Sequence, residues 1–433
     1  MTTPTATRFR RTARAGAILG LASLALVACG RDSGSDAPVE QGEAIGDGKA
    51  TGTIEVWAMG TEGEVLDDFS EAFTEENPDA KIEVTAVPWE SAHEKIANAI
   101  AAGETPDVTL VGTTWMGEFA ESGGLEPLPE DLVDPAAFFD GAWGSTEVGG
   151  TSYGVPWYVE TRVLYYRKDL AQKAGWDEAP ASWDELKQFT QDLQTKGGAE
   201  YGIQLPAGGT GSWQTMLPFA WSNGVGVTND DGTEYTLDSP EMVEALDYYK
   251  SYFDEGISPT RLLDAGELES GFADGTYGSF ISGPWHTGLV EDQGVTEDQY
   301  GVAVLPGVDS AGGTSFVGGG DLAVFSDSDN KESAWKFVQW LADPATQQGF
   351  YDEMGDLPAV SEAWDSGELS EDPQLTVFGE QLDNALAPPA VPTWEEVATV
   401  IDGEVEKATK GDTSVEDAVA EMQRQAEQIG TGL

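Results

Sequence analysis

The chain has 433 residues, with 78 acidic side chains against 21 basic ones and a formal net charge of −57. Such an excess of acid argues against a nucleic-acid partner, because phosphate binding needs a basic surface. The acids are spread along the chain, which reads as a solubilising surface and makes carboxylate pairs too common to mark a catalytic centre by themselves.

The chain opens on Arg8, Arg10, Arg11 and Arg14, followed by an apolar run over 15–27 and then Ala28-Cys29-Gly30. The run is too short to span a bilayer comfortably. This start resembles a bacterial lipoprotein signal peptide, with 1–28 removed and lipid placed on Cys29. Arg10-Arg11 leaves twin-arginine export open beside the general route. Cys29 is the single cysteine, so no intramolecular disulfide forms. Residues 29–51 are rich in Gly, Ser, Asp and Glu and are expected to be a flexible tether. The remainder is long for one core and suggests two domains.

Thr53–Trp57 alternates as a first strand, and Glu64–Asn77 has helical spacing ended by Pro78. Lys81–Val87 reads as a second strand, Glu90–Ala102 as a second helix capped by Gly103, and Pro106–Val111 as a third strand. A β-α-β-α-β run calls for a parallel sheet, whose ligands sit beyond the carboxyl ends of its strands. Those ends are 57–62 and 112–115.

The stretch Tyr153–Asp169 is aromatic and β-branched and therefore extended. Glu160 and Arg162, two apart, share one face of it, beside Trp157 and Tyr158. An acid, a base and aromatic faces on one strand are the parts of a polar-ligand site, although a surface ion pair has the same pattern. Further on, Ser182–Gln194, Ser239–Glu255 and Glu267–Asp274 read as helices, the first with a capping box at Ser182 and Glu185. Between the first two, 208–226 reads as a loop carrying Trp213, Trp221 and Asn223. Strands are expected at Tyr277–Ile281, Tyr300–Leu305 and, after a glycine-rich turn, Asp321–Phe325. Helices are expected at Lys331–Leu341 and Ser414–Gln428.

No zinc or calcium ligand spacing, nucleophile elbow, P-loop or dinucleotide fingerprint is present, and no cofactor is expected. Glycosidase carboxylates need no visible motif, so that class is not removed by absence.

Several landmarks together resemble family 1 extracellular solute-binding proteins, the maltose-binding-protein-like receptors of bacterial sugar ABC importers. They are 54–60 (Ile-Glu-Val-Trp-Ala-Met-Gly), 103–108 with Trp115-Met-Gly-Glu-Phe119, Tyr153–Asp169, Ser282-Gly-Pro-Trp285, Phe316–Phe325 with 330–335, and Pro392-Thr-Trp394. The resemblance covers Gly52 to the end of the chain. It implies an α/β, two-lobed fold of type II, each lobe a mostly parallel sheet flanked by helices, joined by extended hinge crossings. The first lobe would comprise 52–160 with 306–350, the second 161–305 with 351–433. It also implies a monomeric receptor, not an enzyme, lipid-anchored at the outer face of the cell membrane, that binds a sugar and docks on an ABC permease. The abundance of aromatics favours a di- or oligosaccharide.

By the same resemblance Trp285 would stack on a sugar ring, and Glu160 and Arg162 would bond hydroxyls or each other at the hinge floor. Trp115, Thr113 and Thr114 would line the first-lobe side, with Trp57, Met59 and Glu62 near the first strand's end. Trp157, Tyr158, Trp213, Trp221, Asn223, Trp394 and His93 complete the candidates. Trp89, Trp183, Trp335 and Trp340 are assigned to packing. Gly318-Gly319-Gly320-Asp321 replaces the Gly-Gly-Ser-Asn expected in close relatives, so the loop offers either a backbone contact at Gly319 or the Asp321 carboxylate. The basic and acidic pairs that grip maltose are not all reproduced, and maltose itself is not assumed. The alternatives are a secreted glycoside hydrolase, a receptor for a peptide or chelated metal, and an adhesive lipoprotein.

Overall fold

The computed structural model describes residues 41–42, 44–310 and 312–433. The leader, Cys29 and the first part of the tether lie outside the described residues. The rest of the expected tether is docked. Gly42 N donates to Leu128 O at 3.0 Å, and Ala50, fully buried, donates to Asn77 Oδ1 at 3.0 Å. The docking uses backbone groups, which composition does not reveal.

In chain order the strands are β1 (Gly52–Met59), β2 (Ala80–Val87), β3 (Val108–Gly112), the short hairpin β4 (Glu147–Val148) and β5 (Thr151–Ser152), β6 (Gly154–Thr161), β7 (Val163–Arg167), β8 (Ser279–Ser282), β9 (Tyr300–Ala303), β10 (Ser315–Val324), β11 (Leu357–Pro358) and β12 (Ala385–Leu386). The larger sheet runs β11-β6-β10-β3-β1-β2, with β12 added beside β10. The expected parallel run is present, β1 pairing in parallel with β2 and β3, and β10 then lies antiparallel to both β3 and β6.

The second sheet departs from the expected strand directions. β7 lies at its centre and pairs antiparallel with β8 and β9. Parallel contacts on the β8 side are confined to isolated bridges, Tyr201 to Tyr277 and Gln204 to Phe280. The chain between β7 and β8 is divided between helices and loops and supplies no further full strand for a parallel ladder.

Several element assignments change. Most of the glycine-rich turn expected before Asp321 is instead the first part of β10, from Ser315. The helix expected over Glu64–Asn77 is two, Gly60–Phe69 and Glu71–Glu76, parted at Ser70, whose hydroxyl donates to Leu66 O. The aromatic loop contains a helix, Trp213–Ser222, buried along nearly all its length and with Pro218 inside it. A sixteen-residue helix, Trp394–Thr409, occupies part of the tail. Leu357–Pro358, which the sequence reading gave to the second lobe, pairs with β6 of the first sheet.

One residue separates the sheets: β6 ends at Thr161, β7 begins at Val163, and Arg162 stands between. Ser315, the first residue of β10, accepts from Arg162 N at 3.2 Å and donates to Arg162 O at 2.7 Å. The two crossings are thus tied side by side.

Candidate ligand cleft

A cavity of about 680 Å³ opens at this crossing. Its wall draws on the start of the helix after β1 (Glu62), on Trp89, on the loop after β3 (Gly112 to Trp115), and on the end of β6 (Tyr158 to Glu160). The start of β10 (Phe316, Gly318, Gly319), Gln214, the loop after β8 (Pro284, Trp285) and the turn Met354 to Leu357 complete it. Both sheets contribute, and a cavity of this size suits a small organic ligand.

Arg162 organises the floor. Its guanidinium donates to Glu160 Oε2 at 3.0 Å and Oε1 at 3.3 Å, and to Gln214 Oε1 at 2.8 Å. Its charged carbon lies 4.6 Å from the ring centre of Trp285 and 5.3 Å from that of Phe316. Three of the five N–H donors of the buried guanidinium are thus engaged by protein groups, and its charge is paired with Glu160. It acts by holding Glu160, Gln214 and the Trp285 indole in place.

Trp285 is the exposed aromatic of the site, with 42% of its surface accessible. Its ring folds back over Gly283, where an added Cβ would lie 2.1 Å from the indole. The loop is anchored by Tyr165, whose hydroxyl donates to Gly283 O at 2.8 Å. It is also held by His286, bonded at Nδ1 to Ser282 Oγ (2.8 Å) and at Nε2 to Glu269 Oε1 (3.2 Å). Burial holds the His286 imidazole below its ordinary pKa, against the opposing pull of Glu269.

On the other wall Trp115 packs against Trp89 with ring centres 5.6 Å apart and planes tilted by 59°. Tyr158 donates its hydroxyl to Glu62 Oε1 at 3.1 Å. Gly319 has φ +127 and an added Cβ would meet Tyr158 O at 2.2 Å, so only glycine lets β10 approach β6 this closely. Asp356 follows Gly355, the left-handed cap of the helix Pro344–Met354. Burial first, then the charges of Glu62 and Glu160, push its carboxyl up to about 7.

The family model for bacterial extracellular solute-binding proteins matches residues 60–348. The chain belongs to that family. The maltotriose-binding protein of Pyrococcus abyssi is 28% identical over 88% of this chain and 82% of its own length. The maltooligosaccharide ABC transporter solute-binding lipoprotein of Streptococcus pneumoniae serotype 4 is 26% identical over 94% and 96%. The sugar-binding protein MalE of Xanthomonas citri superposes with a TM-score of 0.81, 32% identity, and coverage of 87% of this chain and 97% of its own. The two-lobed α/β fold of this family is the fold observed.

Of the residues singled out in this solute-binding protein's sequence, Glu62, Thr113, Thr114, Trp115, Tyr158, Glu160, Trp285 and Gly319 line the cavity, with Arg162 just behind. The others lie elsewhere. Met59, Trp157 and Trp394 are core residues at 1% exposure or less. Trp213 packs edge-on against Phe316 and Trp394, so it backs the wall that Phe316 presents. Trp221 is buried, and Asn223 donates to Glu241 O and Glu244 Oε2 at a helix end. Trp57 carries Lys95 Nζ over its ring at 3.8 Å. His93 sits behind Trp115, bonded to Glu118 Oε2 at 2.9 Å. Asp321 is buried in the first lobe against Ser145.

Trp89, assigned to packing, is instead part of the wall; it opens the helix Trp89–Ala102 and so faces the strand-end side. Gln214, Phe316, Met354 and Asp356 were not anticipated. Gln214 is placed by a distant cap. Asp402, on the helix Trp394–Thr409, accepts from Gly211 N (2.7 Å), Ser212 Oγ (2.8 Å) and Trp213 N (2.8 Å) at the start of the Gln214 helix. That cap is supplied from 190 residues away in sequence, so no local pattern announces it.

Proposed function

We propose that the chain is an extracellular, lipid-anchored receptor that captures a di- or oligosaccharide between its lobes and presents it to an ABC importer permease. The observation that carries this reading is the cavity at the crossing, where tryptophans stand on both walls around hydrogen-bonding carboxylates. Indole faces cover the C–H surfaces of a pyranose, and carboxylates and amides take its hydroxyls. The names of the relatives, which bind maltotriose and maltooligosaccharides, support a sugar. Two lobes joined by narrow crossings can close on the ligand, and closure is driven only by the ligand's extra affinity for the closed form. A glycoside hydrolase is disfavoured because Glu160, the acid best placed by sequence, is committed to Arg162. The lipid on Cys29, the position outside the cell, the monomeric state and the absence of enzymatic activity belong to this proposal.

A thermal-shift screen of the purified protein against a carbohydrate panel tests it, since a specific ligand raises the melting temperature by mass action. A shift with a peptide or chelated metal and none with any sugar would sink the reading.

A further inference from the structure

Three carboxylates edge the cleft, Glu62, Glu160 and Asp356, and their partners are unequal. Glu160 is taken up by Arg162, and Glu62 Oε1 accepts from Tyr158. Asp356 Oδ2 is buried, and no group among the described residues donates to it. The lining residues include no lysine or arginine, and Arg162 is spent on Glu160 and Gln214. A half-buried acid facing two others is costly in its charged form unless a proton or a cation joins it, in keeping with the upward displacement of its titration. A metal does not answer the need: among the described residues, no group of three or more His, Cys, Asp or Glu is placed to hold one. The tryptophans in the same wall suit an organic ligand, and indole faces attract a positive group.

We propose that the cleft is selective for a saccharide carrying a protonated amine, whose ammonium faces Asp356 and Glu62. This rests on the sugar-receptor reading of the same cleft. An ammonium donates three hydrogen bonds and brings the missing charge, whereas a hydroxyl in its place donates one and leaves the acids uncompensated. The acidic surface of the whole chain attracts positively charged ligands.

The test is titration calorimetry on the purified protein with matched pairs: chitobiose against cellobiose, and trehalosamine against trehalose, with maltotriose as a further neutral probe. The amine member of at least one pair is expected to bind about tenfold tighter than its hydroxyl counterpart. The advantage should shrink in high salt and be lost in Asp356→Asn. Sugar binding with no amine preference in either pair overturns the selectivity and leaves the sugar-receptor reading standing. Full amine preference in Asp356→Asn also overturns it, because the ammonium then lies elsewhere. If none of the five sugars binds and the carbohydrate panel gives no shift while a peptide or chelated metal does, both readings fall. The wild-type comparison does not depend on whether the variant folds.

Discussion

Asp321 offers the sharpest quantitative test of the folded core. It lies at 1% exposure in β10, and its side-chain partner among the described residues is Ser145, whose Oγ is 3.0 Å from Oδ2 and 3.3 Å from Oδ1. Ser145 has one proton, and the shorter contact, 2.7 Å, is to Ala142 O. If that proton serves the carbonyl, the remaining link to Asp321 closes only when the carboxyl is protonated and donates. Burial accordingly pushes the carboxyl from 3.8 up to about 8. A folded-state pKa above the unfolded one means stability that is present at low pH and lost as pH rises through the folded value. At pH 7 the loss is about three pH units' worth, or up to ~4 kcal/mol. Asp321→Asn mimics the protonated acid, its amide donating where the carboxyl proton did. The variant should match the wild type near pH 4 and become more stable by about 1–4 kcal/mol as pH rises to about 8, measured by urea unfolding across that range. Asp356 titrates with the same sign in both proteins, so the gap between them is the diagnostic. If the gap is absent at pH 8, or does not narrow on acidification, the neutral-acid reasoning is wrong.

Other substitutions separate positioning from contact. Trp285→Ala should lower ligand affinity by about 10- to 100-fold with a smaller change in melting than a core tryptophan would give, because the residue is 42% accessible; calorimetry and thermal melts on one sample decide it. Glu160→Ala should cost stability as well as affinity, about 3 kcal/mol, because it leaves the buried Arg162 guanidinium with Gln214 alone; an unchanged unfolding midpoint would contradict the floor described here. Asp402→Ala removes three bonds from the start of the helix Trp213–Ser222 and should cost about 2–4 kcal/mol. It should also weaken ligand binding through Gln214, and a variant that melts early yet binds normally would break that link. Gly319→Ala forces a Cβ against Tyr158 O and should destabilise the β6–β10 pairing by about 2–4 kcal/mol, read as a lower urea midpoint.

What the sequence made legible is what short-range periodicity encodes. The β-α-β-α-β start, the extended stretch around Glu160 and the Gly-Pro-Trp loop are each local, and the structure has them where the pattern put them. The second sheet's strand directions and the Trp213 helix were not legible, because neither is local. One depends on which strands return to β7, the other on a cap from Asp402. Tryptophans were the weakest guide. The same large apolar surface that stacks on a ligand also fills a core, and Trp157, Trp213, Trp221 and Trp394 took the second course while Trp89 took the first. Carboxylates show the limit most clearly. In a chain with 78 of them, Glu160 was conspicuous for its neighbour Arg162, and that same neighbour is why its oxygens are occupied. Asp356 had nothing around it in sequence to set it apart. Its standing comes from the donor it lacks, which can be counted only once the fold has brought Glu62 and Glu160 to the same wall. Ligand selectivity is therefore decided by which carboxylate lacks a partner in space, and a net charge of −57 spread over the chain does not show which one that is.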